Sequence, residues 1–315
     1  MHQNSFSPML DRLQSADVNV RRVALTELDE LLTTVSVSDI LPLLQDKDAT
    51  VRKLTVQALE ELGEPEAIPA LLERIGDEEN EVATAAWIAL REFRTPVAIA
   101  PLIEGAEHRL PSVRAAAILA LREFRTPRAF SVLSRRATDA SAEVRREALL
   151  ALSYLRSDAT RELFKEALTD PDTEIRRIAV DALSQFDQSV VLHLIAGASD
   201  KEWQVRVQTV IGLSRFPSEQ TEQMLVILLE DDRWEVVKEA LIGLGKLSTP
   251  VASRVTGFLT HEIADVRIAA AQALGGIGGN SAVEALSAAL SDPDTGVQKA
   301  AKRAIEEIKL ADREG

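Results

Sequence analysis

The residues best suited to catalysis are few and scattered. Histidine occurs four times, at His2, His108, His193 and His261. The four are spread along the chain, so no metal-binding or proton-relay cluster is expected. Cysteine is absent, which removes disulfides, thiolate zinc, iron–sulfur clusters and a cysteine nucleophile. No P-loop, dinucleotide-binding glycine fingerprint or zincin pair occurs. The many Asp and Glu are accounted for by helix caps and surface, and nothing asks for a cofactor or a metal. What the chain does offer is recognition chemistry. Between residues 83 and 160 all twelve basic residues are Arg, against eight acidic ones, whereas residues 1–82 carry a net charge of -10 and residues 161–315 one of -8. A guanidinium captures carboxylate or phosphate through two parallel hydrogen bonds. Arg91, Arg94, Arg122 and Arg125 are therefore candidate ligands for an acidic partner segment. They fall in a heptapeptide that occurs twice, Leu-Arg-Glu-Phe-Arg-Thr-Pro at 90–96 and at 121–127.

These residues are positioned by a repeat. Val-Arg recurs at Val20-Arg21, Val51-Arg52, Val113-Arg114, Val144-Arg145, Val205-Arg206 and Val266-Arg267, with Ile175-Arg176 as a variant. Degenerate copies stand at Val82-Ala83, Val236-Val237 and Val297-Gln298, and successive copies are 30 or 31 residues apart. Ten copies at that period use nearly the whole chain, so residues 1–315 are expected to form one continuous array. Each copy has a turn rich in Asp, Pro, Ser or Thr before the Val, as in Asp170-Pro171-Asp172-Thr173. The second Asp suits a helix N-cap. A helical stretch follows, with apolar residues 4, 7, 8 and 11 positions after the Val. A short break, often with Gly or Pro, leads to a further helix such as 67–74. Each unit is thus a helix pair, a first (A) helix and a second (B) helix that begins near the Val. No segment alternates as a strand does. A lone pair cannot bury its apolar face, so the fold class is all-α, with neighbours stacked into an α-solenoid.

The pattern Asp48-x-x-Val51-Arg52 followed by Ala58-Leu59, and the A helix Ala67-Ile68-Pro69-Ala70-Leu71-Leu72, resemble the HEAT-like repeats of the phycobilisome-lyase type. The resemblance covers roughly all ten units. It implies a superhelix of stacked HEAT-like helix pairs in which one face of the B helices lines a concave groove. It also implies that the chain could be a plain scaffold or a pigment-handling protein. HEAT-like di-iron hydroxylases carry several His-Glu pairs, and here only His261-Glu262 occurs.

At about 100° per residue, the apolar positions of a B helix fall on one arc, and the residue six after the Val points the opposite way. Down the stack this outward row reads Thr26, Gln57, Ile88, Leu119, Leu150, Asp181, Ile211, Ile242, Gln272 and Arg303. A solvent-facing row should be polar, yet half of it is Ile or Leu. Ile88, Leu119 and Leu150, flanked by Thr84, Ala85, Ala115 and Ala116, are expected to form an apolar strip of the kind that marks a binding groove. Ile211 and Ile242 extend the same row. Four residues further on stand Glu30, Glu61, Glu92, Glu123 and Tyr154, four acids and then an aromatic. Trp203 and Trp234 occupy equivalent positions two before the Val in consecutive repeats. They form either an aromatic ledge or caps on their own inter-repeat turns. The Val-Arg arginines are expected to pair with acids of the turns and lock neighbours together.

The formal charge is -14 and aromatics make up 4% of the chain. So acidic a chain repels phosphate backbones, which disfavours nucleic acid. No apolar run of about 18 residues occurs, so no membrane insertion is expected. The N-terminus lacks a secretory pattern, and cytoplasmic localisation is the expectation. The reading is a non-catalytic adaptor or assembly factor that cradles a protein partner, with the strip and the Arg block meeting an acidic-hydrophobic segment. The alternative, a bilin-lyase-like or pigment-detaching protein, would hold a tetrapyrrole with the same Arg and strip.

Overall fold

The computed structural model describes residues 6–28, 35–155 and 157–314. These form helices and 3-10 turns, with no strand among the described residues. They fall into two compact units, residues 1–155 and 156–315, each a stack of five helix pairs. In the first unit the B helices are Val18–Thr26, Ala49–Leu62, Asn80–Glu92, Pro111–Leu121 and Ala142–Ser153. In the second they are Thr173–Leu183, Trp203–Leu213, Trp234–Lys246, Ala264–Ile277 and Thr295–Glu314. No helix among the described residues is long and apolar enough to cross a membrane.

Local chemistry sets these boundaries. Asp48 caps Ala49–Leu62 by accepting the Val51 N–H at 3.0 Å, and Gly63 ends that helix in the left-handed conformation at φ 66°, which costs glycine little. Asp172 caps Thr173–Leu183 through Glu174 N–H and Ile175 N–H. Several A helices are shorter than the period suggests. In repeats three and four they begin as 3-10 turns, Pro65–Ala67 and Pro96–Ala98, before Ile68–Arg74 and Ile99–Gly105, each with a proline at the first position, where its missing N–H costs nothing. The repeat Val is the keystone of each core. From Val51 through Val82, Val113, Val144, Ile175, Val205, Val236 and Val266 to Val297 it is buried, and each such burial is worth about 1.5–3 kcal/mol.

A second periodic element runs along the turns. Arg52 places Nε and Nη2 on the Asp77 carboxylate at 2.9 and 2.7 Å. Its Nη1 donates to the carbonyls of Asp46 and Lys47. Asp77 in turn accepts the Glu79 N–H at 3.0 Å. One guanidinium therefore closes its own turn and clamps the next. The same arrangement joins Arg21 to Asp46, Arg114 to Asp139, Arg176 to Asp200, Arg206 to Asp231 and Arg267 to Asp292. Burial alone would push the carboxyls of Asp77, Asp139, Asp200 and Asp231 up. The guanidinium and the turn N–H outweigh it, and all four are held below the ordinary aspartate range.

The two interior breaks in this ladder are matched by a second change. Repeat three has Ala83 in place of the Arg, and the turn residue that would face a guanidinium is His108. Repeat eight has Val237, and the corresponding turn residue is His261. Each imidazole does the local work of the missing Asp. His108 Nδ1 accepts the Leu110 N–H at 3.2 Å and His261 Nδ1 accepts the Ile263 N–H at 3.1 Å. A carboxylate there would have no guanidinium to offset its desolvation, whereas a neutral imidazole accepts the same hydrogen bond without that cost. Nε2 of His108 faces Glu73 at 3.2 Å, which fits the tautomer with the proton on Nε2.

Candidate partner-binding face

The B helices present the outward row to solvent. Thr26, Gln57, Ile88, Asp181, Ile211, Gln272 and Arg303 are exposed, while Leu119, Leu150 and Ile242 are half-buried; none of the row is buried. Ile88 is 52% exposed and Ile211 37%. The strip is less uniform than the pattern suggests. Ala115 and Ala116, expected on its flank, are buried. Seven of the eleven residues of Pro111–Leu121 are buried, because its run of alanines lets neighbouring helices close in from more than one side. Thr84 is exposed and Ala85 half-buried beside Ile88, so repeat three carries the open part.

Ile88 lies in a cleft of about 360 Å³ between the B helices of repeats two and three, with Thr84 and Ala85 on one wall and Lys53, Gln57 and Glu60 on the other. A second cleft, about 460 Å³, lies between the B helices of repeats one and two and is lined by Thr26, Leu54, Gln57, Glu60 and Glu61. Leu119 and Leu150 line neither.

The Arg block divides into two pairs. Arg122 and Arg125 come together with Tyr154 around a pocket of about 190 Å³ that also includes Phe124, Leu133 and Ala151. Arg91 and Arg94 stand outside it. Arg94 is 3.9 Å from Glu92 and Arg122 is 3.7 Å from Glu123, too far for hydrogen bonds. Arg91 and Arg125 are exposed and have no ion-pair partner among the described residues. Tyr154 is 66% exposed at the pocket's edge. Of the acidic series, Glu61, Glu92 and Glu123 are exposed, and Glu30 lies outside the described residues.

In the second unit, Trp203 and Trp234 are half-buried and pack against that unit's core. The Arg233 guanidinium lies 4.9 Å from the centre of the Trp203 ring and is held there by Glu235 at 2.8 Å. Lys238 Nζ is 6.0 Å from the centre of the Trp234 ring. One face of each indole is thus occupied by a cation. Trp203 reaches the next repeat's turn through Arg233, the arrangement of a turn cap.

One residue of the face escaped the sequence reading. Glu60 is half-buried, lines both clefts of the first unit and has no cation at ion-pair distance among the described residues. Burial pushes its carboxyl up, and the charge of Glu92 adds to the shift. The signal was available nine residues after the repeat Val, where the residue changes from Glu60 to Arg91 and Arg122.

Comparison with known proteins agrees with this architecture. A search of curated proteins finds no match. Among solved structures, an engineered protein superposes with a TM-score of 0.51 at 22% identity, covering 97% of this chain and 99% of its own. The Escherichia coli protein YibA gives 0.55 at 18% identity, with 90% and 96% covered. Kap95p, from a study of its binding to RanGDP, gives 0.63 at 18% identity, and the match spans 98% of this chain and 51% of Kap95p. Such identities speak for the fold alone. The HEAT-repeat family model matches residues 6–91, 75–153, 135–194, 191–262 and 254–313, nearly the whole sequence, and the chain belongs to the HEAT-repeat family.

Proposed function

We propose that this protein is a non-catalytic scaffold or adaptor that holds a protein partner against the outward face of its B helices. The observation that carries the reading is Ile88, an exposed isoleucine seated in a cleft with Thr84 and Ala85 beside it. Val97 and Leu192 are more exposed, at 68% and 71%, but they stand on A-helix segments and line none of the clefts described above. Isolated apolar side chains are ordinary on protein surfaces; Ile88 differs in standing beside Ala85 in a cleft whose other lining residues are polar, the mixed character of a recognition site. The similarity to Kap95p, which binds RanGDP, supports a macromolecular partner. Arg122 and Arg125 beside Tyr154 would take a carboxylate-bearing part of that partner.

A pigment-handling role, which a place among lyase-type repeats would imply, draws on the same arginines. Their pocket of about 190 Å³ is below the roughly 300–1,000 Å³ of small-molecule sites, so the adaptor reading is preferred. The test is affinity purification of the intact chain from its own cells, with Ile88→Ser, Leu119→Ser and Leu150→Ser combined as the comparison. A protein retained by the native chain, lost from the folded variant and free of visible absorbance is the expected result. Equal retention by both, or a coloured complex, would count against it.

A further inference from the structure

We infer that the cleft between the B helices of repeats two and three takes a basic–apolar peptide segment, with an apolar side chain on Ala85 and Ile88 and the cation of a neighbouring Lys or Arg on Glu60. The inference rests on the reading of this face as the binding face and adds the chemistry of what binds. On the apolar wall Ile88 is 52% exposed and Ala85 half-buried beside it. The polar wall is uneven. Glu81 is already satisfied by Lys53 at 2.8 Å, but Glu60 has no cation and faces the like charge of Glu92, whose nearest guanidinium, Arg94, is 3.9 Å away. A carboxylate that is partly desolvated and repelled by a second carboxylate is relieved most by an incoming cation. Lys and Arg fit because their alkyl stems lie along apolar surface while the charged head reaches a carboxylate. The surrounding field has the same sign, since residues 1–82 carry a net charge of -10. An acidic segment would meet repulsion here and is directed instead to Arg122 and Arg125.

The experiment selects a displayed library of random decapeptides on the intact chain, then measures the enriched peptides by fluorescence anisotropy. Peptides with an apolar residue flanked by Lys or Arg should be enriched. Their affinity should fall at least about tenfold with Glu60→Gln, about fivefold with Ile88→Ser and less than about twofold with Arg122→Glu. Glu60→Gln removes a charge that its site disfavours, so the variant should melt no lower than the native chain, which separates lost binding from lost folding. Enrichment of acidic peptides that depend on Arg122 and not on Glu60 would overturn the inference and leave the scaffold reading standing. Enrichment of nothing that responds to any B-face substitution would overturn both. Concentration-dependent self-association abolished by Glu60→Gln would assign the cleft to the Arg block of a second copy and overturn a separate partner.

Discussion

The turn edges and the outward B-helix face of the same repeats follow opposite rules. Along the turns one device recurs: a guanidinium from one repeat on an aspartate of the next, at 2.6–3.0 Å in Arg21–Asp46, Arg52–Asp77 and Arg114–Asp139 alike. Where the cation is lost, at Ala83 and Val237, the anion is lost with it, at His108 and His261. On the outward face the equivalent position runs Gln57, Ile88, Leu119, Leu150, with no compensation from repeat to repeat. Stacking requires every inter-repeat turn to be closed, so the paired groups there are kept together or lost together. It asks nothing of the outward face, so what stands there is free to serve recognition.

The sharpest way to break this comparison is to remove one member of a clamp. Arg52 and Asp77 are nearly buried, with side chains 6% and 2% exposed. Asp77→Ala removes the two-bond partner of the Arg52 guanidinium, leaving it only the exposed Glu78, at 3.6 Å, as counter-ion, takes the carboxylate from Arg74 as well, and opens the turn at Glu79. It should cost about 3–5 kcal/mol in denaturant unfolding; a loss under about 1 kcal/mol would show that the ladder is ornamental.

Acid should attack the same clamps together. Asp77, Asp139, Asp200 and Asp231 have folded-state pKa values below their unfolded ones. Their contribution is therefore complete above the unfolded aspartate value of about 3.9, and is lost as pH falls through the lower folded values. Thermal melting should fall steeply below about pH 4, and a variant lacking the Asp77 carboxylate should lose less over that window than the native chain.

The histidine exceptions sharpen the comparison further. His108→Asp alone places a carboxylate beside no guanidinium and should destabilise. Ala83→Arg alone supplies a cation without its acid. Together they should rebuild the clamp, with a coupling energy of about 0.5–3 kcal/mol in a double-mutant cycle. A coupling near zero would mean that the matched losses at Ala83 and His108 are unrelated.

The smallest stability effect belongs to the outward face. Ile88→Ser should change unfolding by no more than about 0.5 kcal/mol, since the side chain is 52% exposed, while weakening the partner. A large loss of stability would make Ile88 a packing residue and remove the main support for the binding reading.

How much of this was legible follows from where the information lies. The 30- or 31-residue period, the Asp caps and the Val keystone are local and strictly periodic, so the helix pairs and the phase of the B helices could be read directly. The fate of Ala115 and Ala116 could not, because it depends on how closely neighbouring helices approach, which a single-helix projection omits. The pattern also leaves open the choice for the tryptophans between ledge and cap. It turns on cations at Arg233 and Lys238, outside the positions being compared. Glu60 was missed because one acid in an acidic segment carries no signal until its burial and its missing partner are known. The expectation that Arg91, Arg94, Arg122 and Arg125 act as one block gives way to a pocket held by the latter two, since Phe124 of their own turn and Tyr154 at the end of Ala142–Ser153 flank Arg122 and Arg125.

The most direct test of the binding face is photo-crosslinking from inside it and outside it. A photoreactive amino acid at Gln57, which is exposed on the wall opposite Ile88, should capture a discrete protein partner in the source cells. The same group at Val97, exposed on the A-helix side of repeat four, should not. A partner captured from Val97 and absent from Gln57 would contradict the account.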